Sequence, residues 1–312
     1  MVCDCPGSPT RVSILTGQYP AHFSVKHAVS ESSFRGIPGS ITTLPEMLRA
    51  EGYRTAHIGK WHVGTGKEEF LPRNSGFDYS VRLDTSSGLS YIDFVLSLND
   101  EKNVAHRNKS HLTEVLTSHA IHFINNTVKN YPNEPFFLNL WYLAPHQPIK
   151  QIPENFDNSN TNYCIDSDPS KRSCDSPRGN FSALVTNVDR QIKRILDRLD
   201  KTNDLRKNTI VFITSDNGGT KTTHNSRVLP ERKLGGLKGR VYDGAVRVPL
   251  IVKWPGVIPK NTINESVVAS FDLLPTLIEL TGSRVTSEDL PGTSFLNTLL
   301  KNSLKRRFAP LF

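Results

Sequence analysis

Strand-forming and helix-forming segments alternate along this chain, and that alternation restricts it to an α/β architecture, a sheet with helices packed on its faces. Residues 136–143, FFLNLWYL, form an apolar run suited to a buried central strand. Across residues 181–199 the apolar side chains Leu184, Val185, Val188, Ile192, Ile195, Leu196 and Leu199 recur at three- and four-residue steps, as on one face of a helix. Leu112, Val115, Leu116, Ala120 and Phe123 mark a second helix over residues 112–128. Residues 43–52 predict a third, with Pro45 in its first turn and Gly52 as its stop. Residues 53–58, 209–214 and 248–254 read as strands, and 272–280 as a helix ended by Gly282. The longest irregular stretches, 64–90, the 150s to 179 and 218–239, are expected as loops over a site.

A chain of 312 residues can bury a large core, and no apolar run reaches the length of a membrane span. Its net charge of +8 favours an anionic partner. Nucleic acid and a sulfated polysaccharide suit that charge equally. The basic residues are scattered, however, and no signature interleaves them with aromatics, which argues against nucleic acid. Asn-x-Ser/Thr sequons stand at Asn108, Asn125, Asn180 and Asn264, all in polar or helix-edge surroundings expected to tolerate a glycan. Cys164 and Cys174 bracket a polar insert that reads as a surface loop, closed by a disulfide or carrying two thiols. Cys3 and Cys5 lack the spacing of a zinc site.

The layout of the strands has a functional consequence. In open α/β sheets, ligands sit beyond the carboxyl ends of the strands. His62, His146 and the pair Asp216-Asn217 each lie just past a predicted strand end, so they are expected on one rim. Asp216 and Asn217 supply hard oxygen atoms suited to Ca²⁺ or Mg²⁺. Taken alone, Asp-Asn-Gly-Gly is also a common strand-end turn.

Ordered motifs join these residues. Pro9-Thr10-Arg11 and Leu15-Thr16-Gly17 fall in the register of C-x-P-[ST]-R-x-x-x-L-T-G. Gly59-Lys60-Trp61-His62-Val63-Gly64, Ala144-Pro145-His146-Gln147-Pro148 and Thr214-Ser215-Asp216-Asn217-Gly218 follow in order. Then come residues 237–250, LKGRVYDGAVRVPL, and 271–277, FDLLPTL. Together they resemble the type I, formylglycine-dependent sulfatases, of the arylsulfatase and N-acetylgalactosamine-6-sulfatase kind. The chain departs from the pattern at Asp243 and Ala245, where Glu and Gly are usual, and above all at Gly7, which stands where the family carries the Cys that becomes formylglycine.

The resemblance implies an alkaline-phosphatase-like central sheet, mixed and mostly parallel, flanked by helices. It implies hydrolysis of sulfate esters, of sulfated glycans or aryl sulfates, at a site holding Ca²⁺ or Mg²⁺ through Asp216 and Asn217. Arg11 would fix the nucleophile position, Lys60 and His62 would contact the sulfate or the formylglycine hydroxyl, and His146 and Lys238 would flank the sulfate and its bridging oxygen. His57 is accounted for equally well as a core residue of its strand. A family member would also carry an N-terminal strand with an Asp-Asp ligand pair, and a signal peptide, ahead of this point; neither is in the sequence. Residues 1–312 are therefore expected to form one α/β domain incomplete at both ends, with 283–312 beginning a smaller C-terminal subdomain. The implied setting is secreted or lysosomal, which favours a Cys164–Cys174 bridge and glycosylation. With Gly7 as it stands, two further readings compete: an inactive sulfatase-like protein that binds sulfated glycans, and a related phosphoester hydrolase.

Overall fold

The computed structural model describes residues 1–3, 7–30, 33–86, 88–107, 110–149, 177–220, 234–284 and 289–301. Cys164, Cys174 and the sequon at Asn108 lie outside them. Strand β1 (Arg54–Lys60) is the organising element, with every residue after Arg54 buried. It runs parallel to β2 (Tyr79–Asp84) on one side and to β5 (Phe136–Trp141) on the other. The close pairing with β5 requires Gly59, with φ +112°, since a Cβ there would meet the Trp141 carbonyl oxygen at 2.0 Å.

Beyond β2 the sheet continues as an antiparallel meander, β3 (Asp93–Leu98) and β4 (Lys102–Arg107), giving the order β4-β3-β2-β1-β5. The sheet is mixed, and every strand except β3 points the same way. The β3–β4 turn is made by Asn99 and Asp100, both with positive φ, as a tight hairpin requires. Strand β2 falls inside the 64–90 stretch expected as irregular, and no local periodicity marks β3 or β4.

Helix α3 (Leu112–Asn130) and helix α4 (Pro177–Leu199) cover one face. Leu112, Leu116 and Leu184 pack there with Ile58, Val81, Leu83 and Leu96. The His111 ring caps α3 by accepting the Thr113 N–H. The other face is covered by α1 (Gly7–Thr16), whose Val12 and Leu15 meet Trp61, Val63 and Phe77. Helix α2 (Leu44–Ala50) begins with a Thr43–Glu46 capping box. Its Met47 and Leu48 pack on Leu274 and Ile278 of α7 (Leu273–Thr281).

A short helix, α5 (Asn203–Asn208), leads into β6 (Val211–Thr214), which pairs antiparallel with β7 (Leu250–Lys253) in a second, two-stranded sheet. Between them comes the single turn α6 (Asp243–Val246). Phe295, just before α8 (Leu296–Lys301), is buried with Val268 and Leu273, and Met1, Ile14, Phe212 and Leu250 pack against that cluster.

Two expectations are corrected here. Among the described strands β5 lies at the edge of its sheet, not in the centre, so its apolar residues are only half-buried and Asn139 alone is buried. The four residues of β6, an apolar segment suited by composition to burial, are likewise half-buried. Their apolar composition reflects cover from both faces, which an unpaired edge strand only partly receives.

Candidate active site

The site forms where α1 crosses the carboxyl ends of β1, β5 and β6. Helix α1 is polar in its interior: Ser8, Thr10, Arg11 and Ser13 are all buried. The Thr10 hydroxyl donates to the Asp216 carbonyl oxygen at 2.8 Å, tying α1 to the end of β6. One turn in from Gly7, Arg11 reaches three strand ends. Its Nε and Nη2 donate to Asp216 Oδ2 at 3.1 and 2.7 Å, and Nη1 donates to the Lys60 carbonyl at 2.6 Å. Its guanidinium carbon lies 4.6 Å over the Trp141 ring, a cation–π contact.

Burial pushes the Asp216 carboxyl upward, but Arg11, Lys60 and Lys238 outweigh that effect and hold it at about 2. Asp216 is therefore an anion at any ordinary pH. Its neighbour Asn217 donates Nδ2–H to the Gly218 carbonyl at 2.9 Å, while its Oδ1 is buried without a hydrogen-bond partner. Gly7 sits directly against this pair. A Cβ on Gly7 would fall 2.2 Å from Asp216 Oδ2 and 3.3 Å from Asn217 Oδ1. The space a side chain at position 7 would need is filled by the Asp216 carboxylate.

Lys60 ends β1 and is 6% exposed. Two residues on, His62 has a positive φ of 60° and its Nδ1 lies 2.8 Å from the Ser8 hydroxyl. Burial, then the nearby Lys60, Arg11 and Lys238 charges, lower His62 to about 3 against the opposing pull of Asp216. His146 lies between two cis X-Pro bonds, with its Nδ1 at 2.9 Å from the Gln147 carbonyl and its own carbonyl held by the Tyr91 hydroxyl. Burial lowers it too; the Gln147 contact opposes this, and Lys60 and Lys238 add to it. Lys238 is half-buried, with its backbone N–H on the Gly219 carbonyl at 2.8 Å.

Arg11, Lys60, His62, His146, Asp216 and Lys238 thus lie within one electrostatic neighbourhood. His57 does not join them. It is fully buried among Trp61, Phe77 and Trp141, with Asn139 Nδ2 at its Nδ1. From sequence, Ser8 and Thr10 are only hydroxyls near position 7, out of register for attack, and Trp141 only a strand residue; their partners lie 54 or more residues away or are met through packing. No local spacing signals them.

As for a cation, the described residues contain no group of three or more His, Cys, Asp or Glu side chains arranged to hold one. What they do present is a hard oxygen pair, the Asp216 carboxylate and the unpartnered Asn217 Oδ1, facing one point beside Gly7. That pair fits part of the all-oxygen shell of Ca²⁺ or Mg²⁺. Of the sequons, Asn125 and Asn264 are exposed, whereas Asn180 is 6% exposed inside α4. The folded chain leaves no room for a glycan at Asn180, correcting the surface placement expected for it.

Comparison with known proteins places the chain among sulfatases. The chain is 29% identical to the uncharacterized sulfatase YdeN of Escherichia coli, over 92% of this chain and 52% of that protein. It is 30% identical to human N-acetylglucosamine-6-sulfatase, over 93% of this chain and 56% of that one. It therefore spans about half the length of the curated relatives it matches. The crystal structure of Ps i-CgsB in complex with k-i-k-neocarrahexaose superposes with a TM-score of 0.80 at 26% identity, covering 96% of this chain and 67% of that one. Residues 1–283 match the family model described as Sulfatase, and the chain belongs to the sulfatase family.

Proposed function

We propose that the rim built by Arg11, Lys60, His62, His146 and Lys238 binds the sulfate group of a sulfated glycan, on the scaffold of a sulfuric ester hydrolase. One observation supports this: Arg11, Lys60 and Lys238 all act on the Asp216 carboxylate beside Gly7, and Asp216 in turn acts on the rings of His62 and His146. A sulfate monoester is an anion whose leaving oxygen gains charge as the S–O bond breaks, so fixed positive charge around it favours both binding and cleavage.

In this reading Lys60 and Lys238 neutralise the nonbridging oxygens, and His146 flanks the bridging oxygen. Arg11 holds the Asp216 carboxylate in place through its paired N–H bonds. Asp216 and Asn217 would supply two oxygens to Ca²⁺ or Mg²⁺, which when bound polarises the sulfate oxygens. The family's covalent route needs a side chain at position 7. Gly7 supplies none, and its corner is already occupied by a carboxylate oxygen. The chain as it stands is therefore a sulfate-ester binder without covalent turnover.

A secreted or lysosomal setting fits the exposed sequons at Asn125 and Asn264. The test pairs two measurements on the purified chain. Heparin-like chains should bind in a salt-sensitive way, and an aryl sulfate should not be turned over. Turnover that survives rigorous purification would overturn the role given to Gly7, and absence of sulfate-dependent binding would overturn the rim.

A further inference from the structure

We infer that Ser8 is a positioning residue for His62: its hydroxyl keeps Nδ1 unprotonated, so that the ring proton sits on Nε2 and is offered to a bound sulfate oxygen. The inference rests on the sulfate-binding reading for the identity of the anion. The tautomer rests on the chain's own hydrogen bonds.

Ser8 follows Gly7 in α1 and is 0% exposed. Its Oγ accepts the Val29 backbone N–H at 3.0 Å and lies 2.8 Å from His62 Nδ1. A serine hydroxyl has one proton to give. With Val29 occupying an acceptor position, that proton is satisfied by donation to Nδ1. If Nδ1 carried the proton instead, Ser8 Oγ would accept two N–H groups and leave its own buried O–H without an acceptor, which buried hydroxyls avoid. Burial and the flanking charges of Lys60, Arg11 and Lys238 keep the ring neutral, so it has a single N–H to place.

Backbone geometry points the same way. His62 holds a φ of +60°, in the left-handed region that non-glycine residues seldom occupy. This unfavoured conformation brings the ring from the end of β1 onto the first turn of α1. Nε2 makes no hydrogen bond to the protein among the described residues, so its proton is available to a ligand. Ser8 itself is sealed from solvent and cannot act as the nucleophile in place of the missing side chain at position 7.

The experiment is a long-range ¹H–¹⁵N correlation on the full chain with labelled histidine, with the His62 signals assigned by their loss in His62→Gln. The wild-type ring should show Nε2 protonated and Nδ1 bare, and inorganic sulfate should shift the Nε2 signals. Ser8→Ala should give a mixture of tautomers and weaken sulfate binding by roughly three- to tenfold, the worth of one hydrogen bond. A protonated Nδ1 in the wild type overturns the inference whether or not Ser8→Ala folds. Unchanged tautomer and sulfate affinity in a folded Ser8→Ala chain overturn it as well. A bare Nδ1 with no response of His62 to sulfate upholds the role of Ser8 in setting the tautomer and overturns the donor role, and sulfate binding measured at Lys60 and Lys238 then decides whether the rim reading falls with it.

Discussion

The inner and outer halves of the rim are built on different terms. Arg11 and Lys60 are 5% and 6% exposed, seated on a ten-residue helix and on strand β1. Every polar atom of the Arg11 head has a partner in the fold. On the outer side, Asn217, Gly218 and Lys238 stand half-buried on turns around the two-stranded sheet. The inner groups hold strand ends together, so the fold depends on them. In the proposed reading the side chain of Lys238 on the outer side serves the ligand more than the fold. Mutations should therefore separate the two halves, stability responding on the inner side and affinity on the outer.

The largest expected effect is Arg11→Ala, which strands the Asp216 carboxylate and should cost about 3–5 kcal/mol in a urea or thermal unfolding series. Arg11→Lys keeps the charge but loses the fork, and should fall between. A loss below about 1 kcal/mol, the range of an exposed ion pair, would remove the distinction between the halves.

Acid should destabilise the buried interior behind the inner half next. His57 and His62 are both lowered from 6.5 to about 3, chiefly by burial. The unfolded chain therefore binds more protons across that window, and stability falls as pH drops from about 6.5 toward 3, by up to about 1.4 kcal/mol per pH unit for each ring. His57→Phe suits the aromatic surroundings of that position and should remove one proton's share of the slope, as read by denaturation midpoints between pH 7 and 5. An unchanged slope would place His57 outside the titrating set.

Gly7→Ala tests the junction of the halves. Its methyl would lie 2.2 Å from Asp216 Oδ2, so the carboxylate must give way, at an overpacking cost of about 1–3 kcal/mol. The same crowding means that a cysteine introduced here would have to displace Asp216 from Arg11. A neutral Gly7→Ala, with the Arg11–Asp216 pair intact in a crystal structure, would contradict the packing described. The smallest stability effect should come from Lys238→Ala, within about 0.5 kcal/mol, while affinity for sulfated chains drops about tenfold.

Much of the fold was legible because it follows local periodicity. The heads of α2 and α3, the stop at Gly282 and the run of α4 stand where spacing and capping residues put them. Strands β2 to β4 were not. Tyr79, Val81 and Leu83 alternate with polar residues for too short a distance, and the Asn99–Asp100 turn signals a hairpin only once both flanks are known to be strands. Similarly, the apolar run of β5 carried its strand character but not its place at the edge, because pairing is decided by partners far along the chain.

At the site the division is sharper. Residue order shows which charged and ring-bearing residues follow strand ends, and composition shows that position 7 carries no side chain. Packing alone brings Asp216 into the corner beside Gly7, lets Arg11 bridge three strand ends, and joins Ser8 to His62 across 54 residues. Those contacts depend on where α1 crosses the sheet. Hydrogen-bond directions and close approaches of a few ångströms are set by packing in three dimensions, and the local pattern of residues does not encode them.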